Sequence, residues 1–406
     1  LEQEMRKTNE ELQAILKREN YKRLWSWSRL ECFRNSPYEY FLNYIKHEPK
    51  DRQNCIYAPI GSVAHEALEL YYTNQIDRDK MLESFEDGWF NATTILDLKF
   101  DRNDESKNET IKQKYYVDLQ LFFKNHRDIK RYKPLMEQFV KYKIDDNLFQ
   151  GYIDCCFKDE SGCFNIIDFK TSTMYTGKTL VEHSGQLTVY AMGLMQAGVS
   201  EDKIKIGFNF LKYCTVTYTQ ANGKTKDRNI ERSKLGESLQ TNAKMWLNKI
   251  GYSEEDADFY LKQLIDSNDI SVLPEDVRIK YIMNDCYVFI PFDDVLRDKW
   301  IDIIRKTIKD IELRESDYKT DFNEKVFYDT DEQLKSQSYY LATLCEYSIE
   351  KHKPYKEWLD KIDAKKNEFG LFNNVGVNSS SLSMVDKNIS NDRSQNDDLS
   401  WLDDII

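Results

Sequence analysis

Two aspartates sit where aspartates are out of place. Asp154 ends Gly151-Tyr152-Ile153-Asp154, and Asp168 follows Ile166-Ile167 and precedes Phe169-Lys170-Thr171-Ser172, so each lies inside an apolar, strand-forming run. Aspartate is disfavoured in strands, and a buried charge is costly unless it is paired or bound to a cation. The intervening Asp159-Glu160-Ser161-Gly162 reads as a turn. If Glu160, Ser161 and Gly162 form a three-residue loop with Gly162 left-handed as a bulge, Asp159 pairs with Cys163 and Asp154 falls opposite Asp168. Their Cβ atoms would then be about 4.5–5.5 Å apart, with Lys170 on the same face. A plain four-residue loop would put the two carboxylates on opposite faces.

Two carboxylates at that distance repel, and one pKa rises; a divalent cation removes the conflict. Hard, oxygen-liganded ions such as Mg²⁺ or Mn²⁺ suit two aspartates with phosphate oxygens and water. Such an ion can polarise a phosphodiester and lower the pKa of bound water. An adjacent Lys170 could orient the attacking water or neutralise the charge that builds on phosphorus. The plainer reading is a surface strand on which Asp and Lys alternate with Ile and Phe. Two further signals bear on the choice. His65 lies in Gly61-Ser62-Val63-Ala64-His65-Glu66-Ala67-Leu68 and could ligate metal or simply be structural. Gln186 and Tyr190, spaced i, i+4, share one helix face and could donate hydrogen bonds to a phosphate or a water.

The elements that must position these groups follow from periodicity. Helical patterns run over 3–20, 28–47 (broken at Ser36-Pro37), 61–73, 78–95 and 107–127. The period then changes: 137–143, 147–158 and 163–170 read as strands, 178–197 as a helix, and 203–231 as further strands turning at Asn222-Gly223. Residues 232–364 are mostly helical, interrupted by a strand at 286–291. The Asn-, Ser- and Asp-rich stretch from 371 reads as a flexible acidic tail ending in Trp401, Leu402, Ile405 and Ile406 among aspartates. This predicts four regions: a helical 1–130 carrying His65, a core at 131–231, a mainly helical 232–370, and the tail 371–406. The fold class expected is mixed α/β.

The 406 residues carry 70 acidic and 58 basic side chains, a net charge of −12, which argues against a blanket basic surface while leaving room for a local positive groove. No run is long and apolar enough for a membrane helix. Eight scattered cysteines without a CxxC pair point to reduced thiols and a cytoplasmic setting. No GxxxxGK[ST] loop is present, so ATP-driven work is not expected from this chain.

In order along the chain, these segments resemble the RecB/AddB-like branch of the PD-(D/E)XK nuclease superfamily: WSWSRLECFRNSPYEYFLNYI, GSVAHEAL, GYID, DFKTS and GQLTVY, across roughly 26–195. The resemblance implies a restriction-endonuclease-like mixed sheet flanked by helices, and Mg²⁺- or Mn²⁺-dependent hydrolysis of DNA in recombination, repair or replication, in a bacterial cell or phage-infected host. It assigns His65, Asp154, Asp168 and the Phe169 carbonyl as metal ligands and Lys170 as the catalytic lysine. Gln186 and Tyr190 would position the lysine, a water or the DNA backbone. An exonuclease is the expected form; a catalytically silent DNA-binding or scaffold subunit with this fold is the alternative.

Many relatives hold an iron–sulfur cluster through a cysteine before the Pro of the first motif and three after the Gln-x-x-x-Tyr helix. Ser36 occupies the first position here and Cys214, Cys286 and Cys345 are far apart, so no cluster is expected. Tyr115-Tyr116 and Tyr339-Tyr340 could stack bases of a single strand or belong to the core. Residues 397–406 resemble the acidic tips of bacterial single-strand-binding proteins, which would make the tail a tether to a replication or recombination protein; the bland alternative is a solvated tail.

Overall fold

The computed structural model describes residues 6–52 and 55–370. The expected tail 371–406, with its docking stretch 397–406, lies outside the described residues. The described chain forms two compact units, neither made from one continuous stretch: residues 6–30 with 55–308, and residues 31–52 with 309–370.

The first unit is built on a mixed sheet of seven strands flanked by helices: β1 (Leu24–Trp25), β2 (Leu135–Ile144), β3 (Asn147–Lys158), β4 (Phe164–Lys170), β5 (Ile204–Thr219), β6 (Thr225–Glu231) and β7 (Tyr281–Ile290). β2, β3 and β4 form two successive hairpins, and β5 runs parallel to β4. β4 is buried along almost its whole length, with only its two end residues partly accessible. That is why Ile166 and Ile167 stand side by side instead of alternating with polar residues: both faces of the strand are covered.

The sheet splits beyond the end of β4. β2 lines one side of β3; the other side is shared by β1, at Leu148 and Phe149, and β4, at Cys155 to Lys158. β5 pairs with β4 only as far as Phe210 opposite Lys170, and then with β6 from Tyr213 onward. Beyond Lys170, β3 and β5 therefore part company, β3 taking β1 and β5 taking β6 as the neighbour on the side that β4 occupied. A crevice at the carboxyl end of a strand whose neighbours diverge is where α/β sheets place ligands.

The expected elements are present with shifted edges. The histidine helix runs Tyr57–Tyr72, starting before Gly61; the helix expected over 178–197 is two, Gly177–Glu182 and Gly185–Gln196; and the last strand begins at Tyr281 rather than 286. Gly185 could not be another residue without displacement, because a Cβ there would stand 1.9 Å from the Trp27 ring. A second core beneath the β5–β6–β7 end holds Leu239, Leu247, Leu261 and Leu264 from the helices Leu235–Ile250 and Glu254–Ser267. Tyr115 is core, ringed by Tyr57 and Phe100.

The second unit is held by an aromatic cluster. Phe41 stacks on Phe327 at 5.1 Å and meets Tyr318 edge-on, while the buried Tyr40 hydroxyl donates to Glu315 at 2.8 Å. Ser36 caps the helix Pro37–Tyr40, so the expected Ser-Pro break is a helix start. Tyr340 donates its hydroxyl to Glu39, a structural use of that ring. Among the described residues, no helix is long and apolar enough to cross a membrane.

Candidate active site

The β3–β4 hairpin has the predicted register. Gly162 is left-handed at φ 78°, Asp159 and Cys163 close the loop through a 2.9 Å hydrogen bond, and the ladder runs from Lys158–Phe164 to Cys155–Ile167. Asp159 fixes the turn by accepting from the Ser161 N–H at 2.9 Å, the Cys163 N–H at 3.1 Å and the Asn165 amide at 3.1 Å, with Lys205 Nζ at 2.7 Å. The next pair in sequence would be Asp154 with Asp168, but the ladder stops one step short. Instead the Asp154 carboxylate enters the opening, where its Oδ2 accepts the Phe169 N–H at 3.1 Å.

The helix Tyr57–Tyr72 delivers His65 to the same point. Its Nδ1 lies 3.5 Å from Asp154 Oδ2, and its Nε2 lies 2.8 Å from the Phe169 carbonyl oxygen. A carbonyl can only accept, so the Nε2 position carries the proton in this contact, and Nδ1 faces Asp154. On the other side of Phe169, Lys170 Nζ is 3.1 Å from Asp168 Oδ2. That oxygen is buried and receives no well-directed hydrogen bond, so the ion pair leaves it with coordinating capacity unused.

Burial and charge act strongly here. Burial pushes the Asp154 carboxyl up, partly opposed by His65 and reinforced by Asp168, to about 7. Burial works against the Lys170 ammonium, yet Asp168, Tyr175 and Asp154 more than reverse this and hold it charged. Gln186 and Tyr190 come from the helix Gly185–Gln196, and the Gln186 amide donates to the Tyr190 hydroxyl at 3.1 Å. Burial raises the Tyr190 phenol, with the Gln186 bond opposing and the charges of Asp154 and Asp168 adding to the rise. Gly151 makes room for that ring: a Cβ there would stand 2.4 Å from Tyr190 Cε1. The structure thus brings His65, Asp154, Phe169, Asp168 and Lys170 to one opening, with the Gln186–Tyr190 pair beside it.

Sequence reasoning missed Glu137. Its carboxylate joins His65 and Asp154 in a group whose ligand atoms lie within 4.8 Å of one another, the only such group of three or more among the described residues. Met136–Cys155 and Gln138–Ile153 pair on either side, which sets Glu137 across from Asp154. Its backbone is left-handed at φ 47°, costly for a non-glycine residue inside a strand. The signal was available: a two-residue turn at Asp145-Asp146 gives this pairing by the arithmetic used for the next hairpin. Arg6 was also missed; its guanidinium binds Glu137 Oε2 at 2.7 and 3.1 Å. Nothing in the local sequence foretells a contact across so long a stretch of chain.

Two hard carboxylates, an imidazole and a carbonyl around one opening, with an unsatisfied buried carboxylate oxygen next to them, fit a divalent cation of the Mg²⁺ or Mn²⁺ kind better than they fit one another. The family model for the PD-(D/E)XK nuclease superfamily matches residues 24–276, more than half of the chain. No curated protein matches the sequence.

Proposed function

We propose, from the premise that this chain belongs to the PD-(D/E)XK nuclease superfamily, that it is a metal-dependent deoxyribonuclease. The observation that carries the reading is the gathering of His65, Asp154 and the Phe169 backbone at the end of β4, with the Asp168–Lys170 pair flanking Phe169 on the same strand. His65, Asp154, Asp168 and the Phe169 carbonyl, with Glu137 behind them, would hold Mg²⁺ or Mn²⁺. When bound, that ion supplies Lewis-acid polarisation of the phosphodiester and a water of lowered pKa.

This chain's own side chains do the rest. Lys170, kept protonated by Asp168, places a fixed positive charge where charge grows on the phosphate oxygens, and can donate a hydrogen bond to them. Asp154 must be ionised for the centre to work, so it gives up a proton on metal binding. Tyr190, steadied by Gln186 and seated over Gly151, offers a buried hydroxyl for orienting the lysine or the strand.

The finer reading, an exonuclease of the RecB/AddB-like branch acting in recombination or repair, rests on the order of the five segments from the aromatic-rich entry to the Gln-x-x-x-Tyr helix. The test is a panel of end-labelled linear and circular, single- and double-stranded DNA with Mg²⁺ or Mn²⁺, run beside Lys170→Ala. Cleavage of linear DNA that vanishes with chelator and with Lys170→Ala supports the reading. Cleavage of circles as well would refute the exonuclease, and no cleavage of any DNA would refute the enzyme.

A further inference from the structure

A second group of cations lies apart from Lys170. Arg78, Lys124, Arg127 and Arg278 line one cavity of about 490 Å³ in the first unit, and none of the four forms an ion pair among the described residues. The cavity has one carboxylate on its wall, Asp269, whose Oδ1 accepts the Ser271 N–H at 2.8 Å. In a chain with net charge −12, a concavity with four cations to one acid runs against the average. Walls of one charge sign concentrate ions of the other.

The protein does not need these charges to balance its own. Behind the cavity, Asp285 is fully buried and already matched: Arg232 Nη2 is 2.7 Å from its Oδ1, and His126 Nδ1 and the Arg127 N–H are 2.7 and 3.0 Å from its Oδ2. Two of the lining guanidiniums are oriented by backbone. Arg78 donates to the His126 carbonyl, and also faces the Tyr71 hydroxyl, while Arg127 Nε donates to the Met283 carbonyl at 2.9 Å. A guanidinium has five N–H donors, so each fork is fixed in place with donors to spare. Ile279, 65% exposed, shares the wall with Met283. Cations beside an apolar ledge suit a sugar–phosphate strand better than a bare anion.

The cavity wall is also tied to the helix that carries His65. Tyr72 and His65 lie seven residues apart on one face of the same helix, about 10 Å along its axis. The Tyr72 hydroxyl is 2.5 Å from His126 Nε2, and His126 is part of the cavity wall. We propose that this cavity binds backbone phosphates of the nucleic-acid strand at least about three nucleotides from the bond being cut, taking about 3.4 Å per step. The assignment rests on the nuclease reading for the identity of the strand.

The test uses Lys124→Glu/Arg278→Glu and the milder Lys124→Gln/Arg278→Gln, at two exposed positions whose side chains make no hydrogen bond among the described residues. Binding of a labelled 20-nucleotide strand is followed by anisotropy against salt in a Lys170→Ala background. Hydrolysis of bis(p-nitrophenyl) phosphate, too small to reach the cavity, is followed without Lys170→Ala. The charge reversal should weaken strand binding about tenfold or more and lower the salt slope by about 2, with the Gln pair in between and small-diester hydrolysis unchanged. Strand binding equal to the parent's overturns the proposal, and so does a parent that binds no strand. Inorganic pyrophosphate raising the melting temperature of the parent but not of the Glu pair, while strand binding stays equal, would assign the cavity to free phosphate compounds instead. Strand binding that depends on Lys124 and Arg278 in a protein that cleaves nothing would keep the cavity and discard the nuclease.

Discussion

Replacing Asp154 by Asn should make the protein more stable while destroying its capacity to hold metal. The carboxyl is raised from 3.8 to about 7 by burial and by Asp168. The folded state therefore binds more protons than the unfolded state between those values, and stability falls as pH rises through this window. Above pH 7 the carboxylate is ionised in both states and its full burial penalty is felt. At about 1.4 kcal/mol per pH unit, a rise from 3.8 to about 7 puts the penalty at up to about 4 kcal/mol. Asn removes the charge and keeps an oxygen that can accept the Phe169 N–H. In chelator at pH 8, Asp154→Asn should melt on the order of 5 °C higher than the parent. The gap should narrow from pH 7 downward and close below about pH 4. Mn²⁺, added to saturation, should raise the melting temperature of the parent and leave the variant unmoved. Thermal unfolding across pH 4–9, with and without Mn²⁺, reads all three. A variant that melts lower than the parent at pH 8, or a gap that is flat with pH, refutes the idea that an electrostatic conflict is stored at this carboxylate.

Three other perturbations have defined outcomes. Arg6 competes with a cation for Glu137, so Arg6→Ala should raise the apparent Mn²⁺ affinity by up to about fivefold, the worth of an exposed ion pair, as measured by calorimetric titration. Gly151→Ala should force the Tyr190 ring aside and cost about 1–3 kcal/mol in denaturant melts, with cleavage falling further than stability accounts for. Asp159→Ala should lose about 1 kcal/mol from the hairpin turn. Because Lys205 and the turn donors hold the Asp159 pKa below its ordinary value, that stabilisation is present above about pH 4 and lost below it, so the difference from the parent should shrink as acid is added.

The β3–β4 hairpin was legible because its turn residue, its apolar runs and its misplaced aspartates all lie close together in sequence, so pairing arithmetic alone brings Asp154 toward Asp168. The histidine helix was legible as a helix, but its delivery to Phe169 is a tertiary fact. Glu137 was hidden for a different reason: a left-handed glutamate inside a strand has no propensity signal, and only the neighbouring turn at Asp145-Asp146 places it. Asp285 shows the same limit. The strand expected from 286 begins at Tyr281 and carries Asp285 inside it, a buried charge matched by Arg232 and His126 from elsewhere in the fold.

The two successive hairpins make this centre intolerant of one kind of genetic change. Glu137, Asp154 and Asp168 are aligned across three strands by two short turns, Asp145-Asp146 and Glu160-Ser161-Gly162. Inserting or deleting one codon in either turn would exchange inside for outside along a whole strand. Lineages carrying this arrangement should therefore diverge by substitution around fixed turn lengths, and absorb their insertions elsewhere in the chain.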